Sequence, residues 1–542
     1  MLGRGRRLTA TFVLIAGAAF AAQSVPATAS PSGGASDRLR FGACPIPLPT
    51  PRHVDCGKLR VPEARGEPGT RTIRVEFAIV RAPAPARPDP IVFVMGGPSY
   101  PAIDPFSMLA YFDHTPYTAH RDLILVDLRG TRSSRPFLNC PGFDRLDAAT
   151  WPEGATPAQA DAAERACRDH LSRTADLRHY GSVDTALDLR DLRQALGYPQ
   201  WNVMAFSAGG EPAFQYLRID PAGIRAIVLD APITGLSRPD VTPWWWVEVP
   251  SRLTGQLFRQ CAAQPSCAHT FPNLKNRFWQ EVDALNAHPH LVRLKVAGGG
   301  SIPLRVSGYF FQQDVAGMLG DTGGLPLAAA FLDDLLRNGI DPLYDFTIER
   351  PFPIAGVFAE GRTIAYRCRE FWAFQNRQTI GMAEARYPRW ARVALAEFRG
   401  AHHECAVWKV GRDPALTGFV DSAVPALVFD GEWDPAVPNT AIAAAARHLH
   451  DSTFVQVPAI GHGSLASYGG WQACPRSVAA AFLRDPTAPV DTSCVAHMPH
   501  VVFQTSLPSA GDRMAAYLRG VHRRVLDRWR HAVTGPGSVP SR

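Results

Sequence analysis

The segment Trp201–Ile219 constrains the fold more than any other. It opens on WNVMA, a short strand-like run, and turns through Phe206-Ser207-Ala208-Gly209-Gly210. It continues as EPAFQYLRI, with apolar residues at helical spacing. A strand that enters a helix through so tight a turn belongs to a layered α/β architecture, with helices covering a mainly parallel sheet. The turn strains the backbone of Ser207, so the positions two before and two after it must be small. Here they are Ala205 and Gly209, giving A-x-S-x-G where Gly usually stands first. An ordinary strand-to-helix turn with Ser207 as N-cap would read the same way over these few residues.

Other segments extend the same architecture. Ile91–Val94, Leu123–Val126 and Ile227–Leu229 are short apolar runs, as buried parallel strands require. Thr72–Val80 alternates, with Ile73, Val75, Phe77 and Ile79 on one face, which predicts a half-buried strand. Val183–Leu196 has helical spacing. After Ala231 the texture changes to Pro-rich turns and helical stretches such as Pro326–Arg337. Strand texture returns at Ala426–Phe429, followed by an Ala-rich helix, Thr440–Leu449, and a further strand, Phe454–Val457. The expected organisation is an α/β sheet domain in two parts, 30–235 and 416–495, interrupted by a mainly helical cap, 236–415. A C-terminal extension, 496–542, follows. Apolar residues at 46% and charged residues at 19% supply a large core and exclude a disordered chain. A charge of +7 on 542 residues is too dilute for a nucleic-acid footprint.

The ends of the predicted strands carry the polar residues that suggest chemistry. Ser207 at the elbow is a candidate nucleophile. Ile91–Val94 runs into Met95-Gly96-Gly97-Pro98-Ser99, where bare backbone N–H groups can face a ligand. The N–H of Gly97 and that of Ala208 are the candidate halves of an oxyanion hole. Strand ALVFD leads to Gly431-Glu432-Trp433-Asp434, and strand FVQVP leads to Ile460-Gly461-His462-Gly463. Asp434 is the candidate acid that orients a histidine, and His462, flanked by glycines, the candidate general base. The chain order Ser207, Asp434, His462 is that of the α/β-hydrolases. His402-His403-Glu404 lacks the spacing of a metal helix, and no phosphate-cradling glycine motif is present. Neither a metal nor an organic cofactor is expected.

The first residues read as an export signal. Arg4, Arg6 and Arg7 precede an apolar or small run, Leu8–Ala22, and Ala27-Thr28-Ala29 fits the cleavage rule, which places the cut after Ala29. Export with no retained membrane anchor is the expectation, and with it a secreted, extracellular protein. The ten cysteines agree, since exported chains form disulfides. Their number leaves the connectivity open. They fall into successive near neighbours, which favours Cys44–Cys56, Cys140–Cys167, Cys261–Cys267, Cys368–Cys405 and Cys474–Cys494. Zinc is the rival use of the close pair Cys261/Cys267, but no partner ligands stand nearby.

With these motifs in hand, the chain resembles the exported tripeptidyl-aminopeptidase-like and proline-iminopeptidase-like serine peptidases, α/β-hydrolases with a helical cap. The resemblance runs over residues 40–495. It rests on MGGPS (Met95–Ser99), VDLRGTRSS (Val126–Ser134), the segment Tyr180–Gly197, AFSAGG at the elbow, GEWDPAVP (Gly431–Pro438) and GHG (Gly461–Gly463). CAAQPSC (Cys261–Cys267) and YRCRE (Tyr366–Glu370) extend it into the cap. The chain departs from the family pattern at Ser99 (GGPS for GGPG), at Arg132 (RGTR for RGxG) and at the elbow (AFSAGG for GxSYGG). The resemblance implies a peptidase that removes short peptides from free N-termini. It also implies that Glu370, at the family's C-x-D/E position, faces the cleft and holds the substrate's ammonium group. A secreted carboxylesterase or lipase-like hydrolase with the same three residues is the alternative. A non-catalytic binding module on the same fold is a further one.

Overall fold

The computed structural model describes residues 38–507 apart from 84, 113–114, 151–156, 236–244, 297–299, 321, 345–346, 349–357 and 467–470. The expected signal segment, and the extension beyond residue 507, lie outside the described residues. Strands β1 (Leu39–Gly42), β2 (Val54–Pro62), β3 (Thr72–Val80), β4 (Ile91–Val94), β5 (Leu123–Asp127), β6 (Trp201–Phe206) and β7 (Ile224–Asp230) open the sheet. The cap contributes β8 (His290–Val296), β9 (Ser301–Val306) and β10 (Thr347–Ile348), which form a small sheet of their own. The main sheet is completed by β11 (Ala426–Gly431) and β12 (Ser452–Val457), in the order β1-β2-β3-β5-β4-β6-β7-β11-β12. From β5 onward every neighbouring pair is parallel, while β1, β2, β3 and β5 pair antiparallel.

Both faces of the sheet are covered, which is why its strands read as continuous apolar runs. Along β4, Val92 and Val94 join one core with Leu189 and Phe214, while Ile91 and Phe93 join the other with Tyr111 and Phe482. The same cover corrects the expectation for β3. Its predicted face is buried, but so are Glu76, Ala78 and Val80 on the opposite face, because β3 lies between β2 and β5 inside the sheet. The helix Ser182–Ala195 and the helix Gly210–Ile219 pack on one face.

Register then aligns the strand ends. Val94 pairs with Ala205, Phe206 with Asp230, Phe429 with Asp230, and Gly431 with Val457. The loops after β4, β6, β7, β11 and β12 therefore open along one edge, where open α/β sheets bind ligands. The cap enters the chain between β7 and β11 and has its own core, with Leu253, Leu257, Phe278, Phe311 and Leu332. That core continues into Trp433 and Ala459, on the loops after β11 and β12, so the cap is seated on the loops that carry the site.

All five expected disulfides are formed: Cys44–Cys56, Cys140–Cys167, Cys261–Cys267, Cys368–Cys405 and Cys474–Cys494. No cysteine is free. Among the described residues, no helix is long and apolar enough to cross a membrane.

Candidate active site

Ser207 has φ +53°, a left-handed conformation that a residue with a side chain adopts only when its surroundings compel it. Close packing does so here. A Cβ on Gly209 would lie 2.1 Å from the carbonyl oxygen of Val94, and one on Gly96 would lie 2.6 Å from that of Phe206 and 2.9 Å from the backbone nitrogen of Ala208. The Gly96-Gly97 turn is thus pressed directly against the elbow, with Gly97 itself at φ +91°. Ile233, after β7, donates its N–H to the Ser207 carbonyl at 2.8 Å and secures the turn from the other side.

His462 and Asp434 are joined by a 2.8 Å hydrogen bond from Nδ1 to Oδ2. Asp434 is fully buried, and its second oxygen accepts the N–H groups of Ala436 at 2.6 Å and Val437 at 2.9 Å. Three donors thus fix this carboxylate in place beside the imidazole. Burial alone would lower the pKa of His462. The Asp434 charge and hydrogen bond outweigh it, so His462 is held above the ordinary histidine value. The Phe206 ring lies 4.8 Å from that of His462, which brings the imidazole to the residue preceding Ser207. No hydrogen bond joins Ser207 to His462 among the described residues. Such contacts are commonly loose before substrate binds.

Sequence reasoning missed three residues that hold these loops. Asp230, at the end of β7, accepts the N–H groups of Ser464 and Leu465 at 2.8 and 2.9 Å and so fixes the loop that carries His462. Burial pushes its pKa up to about 6. An acid closing an apolar strand was the available signal. Arg252, in the cap helix Trp245–Ala263, donates to the carbonyl oxygens of Glu432 and Asp434 at 2.9 and 2.6 Å. Arg362, in the cap helix Glu360–Tyr366, donates to the carbonyl oxygen of Pro98.

A cavity of about 410 Å³ lies between these loops and the cap. Pro98, Ala208, Pro435 and Ala436 line it from below, and Val249, Leu253, Tyr366 and Phe371 from above. Its lining is mainly apolar. Among the described residues of its wall the charged one is Arg367, which is paired with Glu404 at 2.9 Å. Glu370, expected to face the cleft, is placed elsewhere. It is fully buried, and its two oxygens accept the N–H and the hydroxyl of Ser182 at 2.5 and 2.6 Å. Burial raises its pKa to about 8. Its neighbours Tyr366, Arg367 and Phe371 line the cavity, and Glu370 does not.

Among the described residues, two groups come close enough to share one metal ion. In Cys368, Glu404 and Cys405 both sulfurs are spent in a disulfide. The other, Glu67, Asp176 and His179, is partly exposed, and His179 is engaged by Asp184.

A family model described as alpha/beta hydrolase fold matches residues 89–466. YuaR of Escherichia coli (strain K12) is 32% identical over 184 residues, 32% of this chain and 35% of YuaR. Serine protease Hip1 of Mycobacterium tuberculosis (strain ATCC 25618 / H37Rv) is 30% identical over 190 residues, 33% of this chain and 36% of Hip1. The matches thus span about a third of the length of these curated relatives. The solved proline iminopeptidase of Mycobacterium smegmatis superposes with a TM-score of 0.35 at 15% identity, covering 79% of this chain and 98% of that one.

Proposed function

The chain belongs to the alpha/beta hydrolase fold family, and from that premise we propose that it is a serine hydrolase working through an acyl-enzyme. Ser207 Oγ attacks the substrate carbonyl carbon and its proton passes to His462. The carbonyl oxygen becomes an oxyanion facing the N–H groups of Gly97 and Ala208. His462 then gives the proton to the leaving group as the bond to it breaks. Water repeats the sequence and frees Ser207. Asp434 keeps His462 in the tautomer with its proton on Nδ1 and steadies the imidazolium. These steps call on no metal or organic cofactor. The observation that carries the reading is the strained Ser207, pressed against the Gly96-Gly97 turn beside a His462–Asp434 pair.

The finer reading is a secreted aminopeptidase acting on peptides with a free N-terminus. Support comes from the motifs Met95–Ser99, Gly431–Pro438 and Tyr366–Glu370, and from the partial similarity to a serine protease. One observation favours a second reading, an esterase. Among its described residues the cavity wall is mainly apolar and its charged residue is a cation, Arg367, where an ammonium group needs an acid. Two assays test both levels. Labelling of Ser207 by a fluorophosphonate probe is expected, and its absence overturns the acyl-enzyme reading. Free and N-acetylated peptide amides compared with p-nitrophenyl esters then separate aminopeptidase from esterase: the aminopeptidase reading requires that acetylation abolish peptide cleavage.

A further inference from the structure

The cap touches the site in two ways. Part of it walls the cavity, and part of it reaches past the cavity to the backbone of the loops beneath. Arg362 is buried and donates through Nη1 to the carbonyl oxygen of Pro98, while its Nη2 lies 3.5 Å from Thr185 Oγ1. The next cap residue, Thr363, shares a 2.5 Å hydrogen bond with Ser99 Oγ. Two consecutive cap residues thus grip two consecutive residues of the loop that follows Gly97. Ser99 is where the chain departs from GGPG. Its hydroxyl, fully buried, is satisfied by Thr363 across the domain boundary.

The loop after β11 is gripped in the same manner. Arg252 donates through Nη1 and Nη2 to the carbonyl oxygens of Glu432 and Asp434. Gln256 and Gln260, farther along the same helix, donate to Glu432 Oε1 at 2.8 and 2.9 Å. The other Glu432 oxygen accepts the N–H of Ala459, which ties in the loop that leads to His462.

These contacts are expensive if all they do is hold two domains together. Desolvation lowers the pKa of Arg362 to about 10 and lowers that of Arg252 as well, so each guanidinium is held where water solvates it poorly. Apolar packing would join cap to sheet without that cost, and the cap core already does so at Trp433 and Ala459. What an apolar side chain cannot do is fix the direction of a carbonyl group. A guanidinium fork can, because its donors are rigidly arranged.

We propose that Arg252 and Arg362 are positioning residues for the reaction. Through them the cap sets the backbone of the acid loop and of the oxyanion loop, and the cap is a standing part of the catalytic machinery as well as a wall of the cavity. The inference rests on the acyl-enzyme reading above.

The test uses the full-length protein and four variants, Arg252→Met, Arg252→Lys, Arg362→Met and Arg362→Lys. The readouts are kcat and KM on a p-nitrophenyl ester and the rate of fluorophosphonate labelling, all well below each variant's melting temperature. Displaced catalytic groups cost rate more than binding, so each Met variant should lose about tenfold or more in kcat and in labelling rate, with KM within about twofold. The Lys variants should recover part of the loss, since an ammonium can reach one carbonyl. If a Met variant fails to fold, Ser99→Ala and Thr363→Val carry the test, with a smaller loss in kcat and non-additive effects in the double variant. A labelled wild type with variants labelling at its rate overturns the inference alone. An unlabelled wild type overturns the acyl-enzyme reading and the inference with it.

Discussion

The sheet domain and the cap hold the site with opposite chemistry. In the sheet domain the anchors are carboxylates that accept backbone N–H groups. Asp434 takes those of Ala436 and Val437, two and three residues on, and Asp230 takes those of Ser464 and Leu465 on a nearby loop. In the cap the anchors are guanidiniums that donate to backbone carbonyls. Arg252 reaches Asp434 across 182 residues of sequence, and Arg362 reaches Pro98 across 264. Acids at strand ends make a turn rigid from within. Cations from the cap fix the Asp434 turn and the Pro98 loop from outside. In the proposed mechanism the sheet domain supplies the reacting groups, and the cap supplies part of their alignment.

The largest test of that division is removal of the proposed nucleophile. Ser207→Ala should cost on the order of 10⁶ in kcat, with His462→Ala similar and Asp434→Asn smaller. Far-ultraviolet circular dichroism should be unchanged. Near wild-type turnover in a clean Ser207→Ala preparation would place the chemistry elsewhere, and the comparison between the two regions would collapse.

The same division decides what could be read from the sequence. Ser207, Asp434 and His462 were legible because each follows a short apolar run, and the parallel register brings those runs' ends to one edge. Strand β4 was legible to the residue, since both of its faces are buried and nothing polar interrupts it. Strands β1 and β2 were not foreseen: LRFG is short, and CGKLRVP alternates around an exposed Lys58 and Arg60. The antiparallel pair β8–β9 was hidden inside an insertion read as mainly helical. Arg252 and Arg362 had no local signature at all. They are two among the 56 basic residues of the chain, and only the folded contacts single them out. Ser99 looked like a loss of pattern until Thr363 was beside it. Glu370 was placed in the cleft by its motif, but the fold turns it toward Ser182.

The second prediction removes a covalent tie from the cap. Cys368–Cys405 joins the Arg367–Phe371 segment to the helix Ala391–Trp408. Replacing both cysteines by Ser should lower stability by about 2–5 kcal/mol in denaturant titration. If the cap aligns the site, kcat should fall with it under conditions where the variant remains folded. Unchanged kcat with lowered stability would reduce this part of the cap to a wall.

A third prediction concerns pH. As the proposed base, His462 works only when neutral, and its pKa lies above the ordinary histidine value because Asp434 stabilises the imidazolium. The acid limb of kcat/KM should therefore sit above that value, with activity lost as pH falls through it. Asp434→Asn removes the charge that raises the pKa, so the limb should move to lower pH while the plateau drops. A limb that stays in place in Asp434→Asn would mean that another group sets it.

The smallest effect belongs to Glu370, where the two regions meet. Among the described residues its oxygens accept from Ser182 alone, at the start of the helix Ser182–Ala195, and a Cβ on the adjacent Gly181 would lie 2.2 Å from one of them. Glu370 is packed as a joint between cap and sheet. In the unfolded chain it ionises in the ordinary carboxylate range, whereas the folded protein keeps its proton up to about pH 8. Between those values the folded state binds more protons than the unfolded one, so the group's contribution to stability falls as pH rises. Glu370→Gln should flatten that fall, read as a smaller drop in melting temperature between pH 5 and about pH 8 than in the wild type. A joint is indifferent to the substrate, so the variant should change turnover of a free-amine peptide and of a neutral ester by the same factor. A loss confined to the free-amine peptide would show instead that Glu370 leaves Ser182 when substrate binds and receives the ammonium group, as the family resemblance implies.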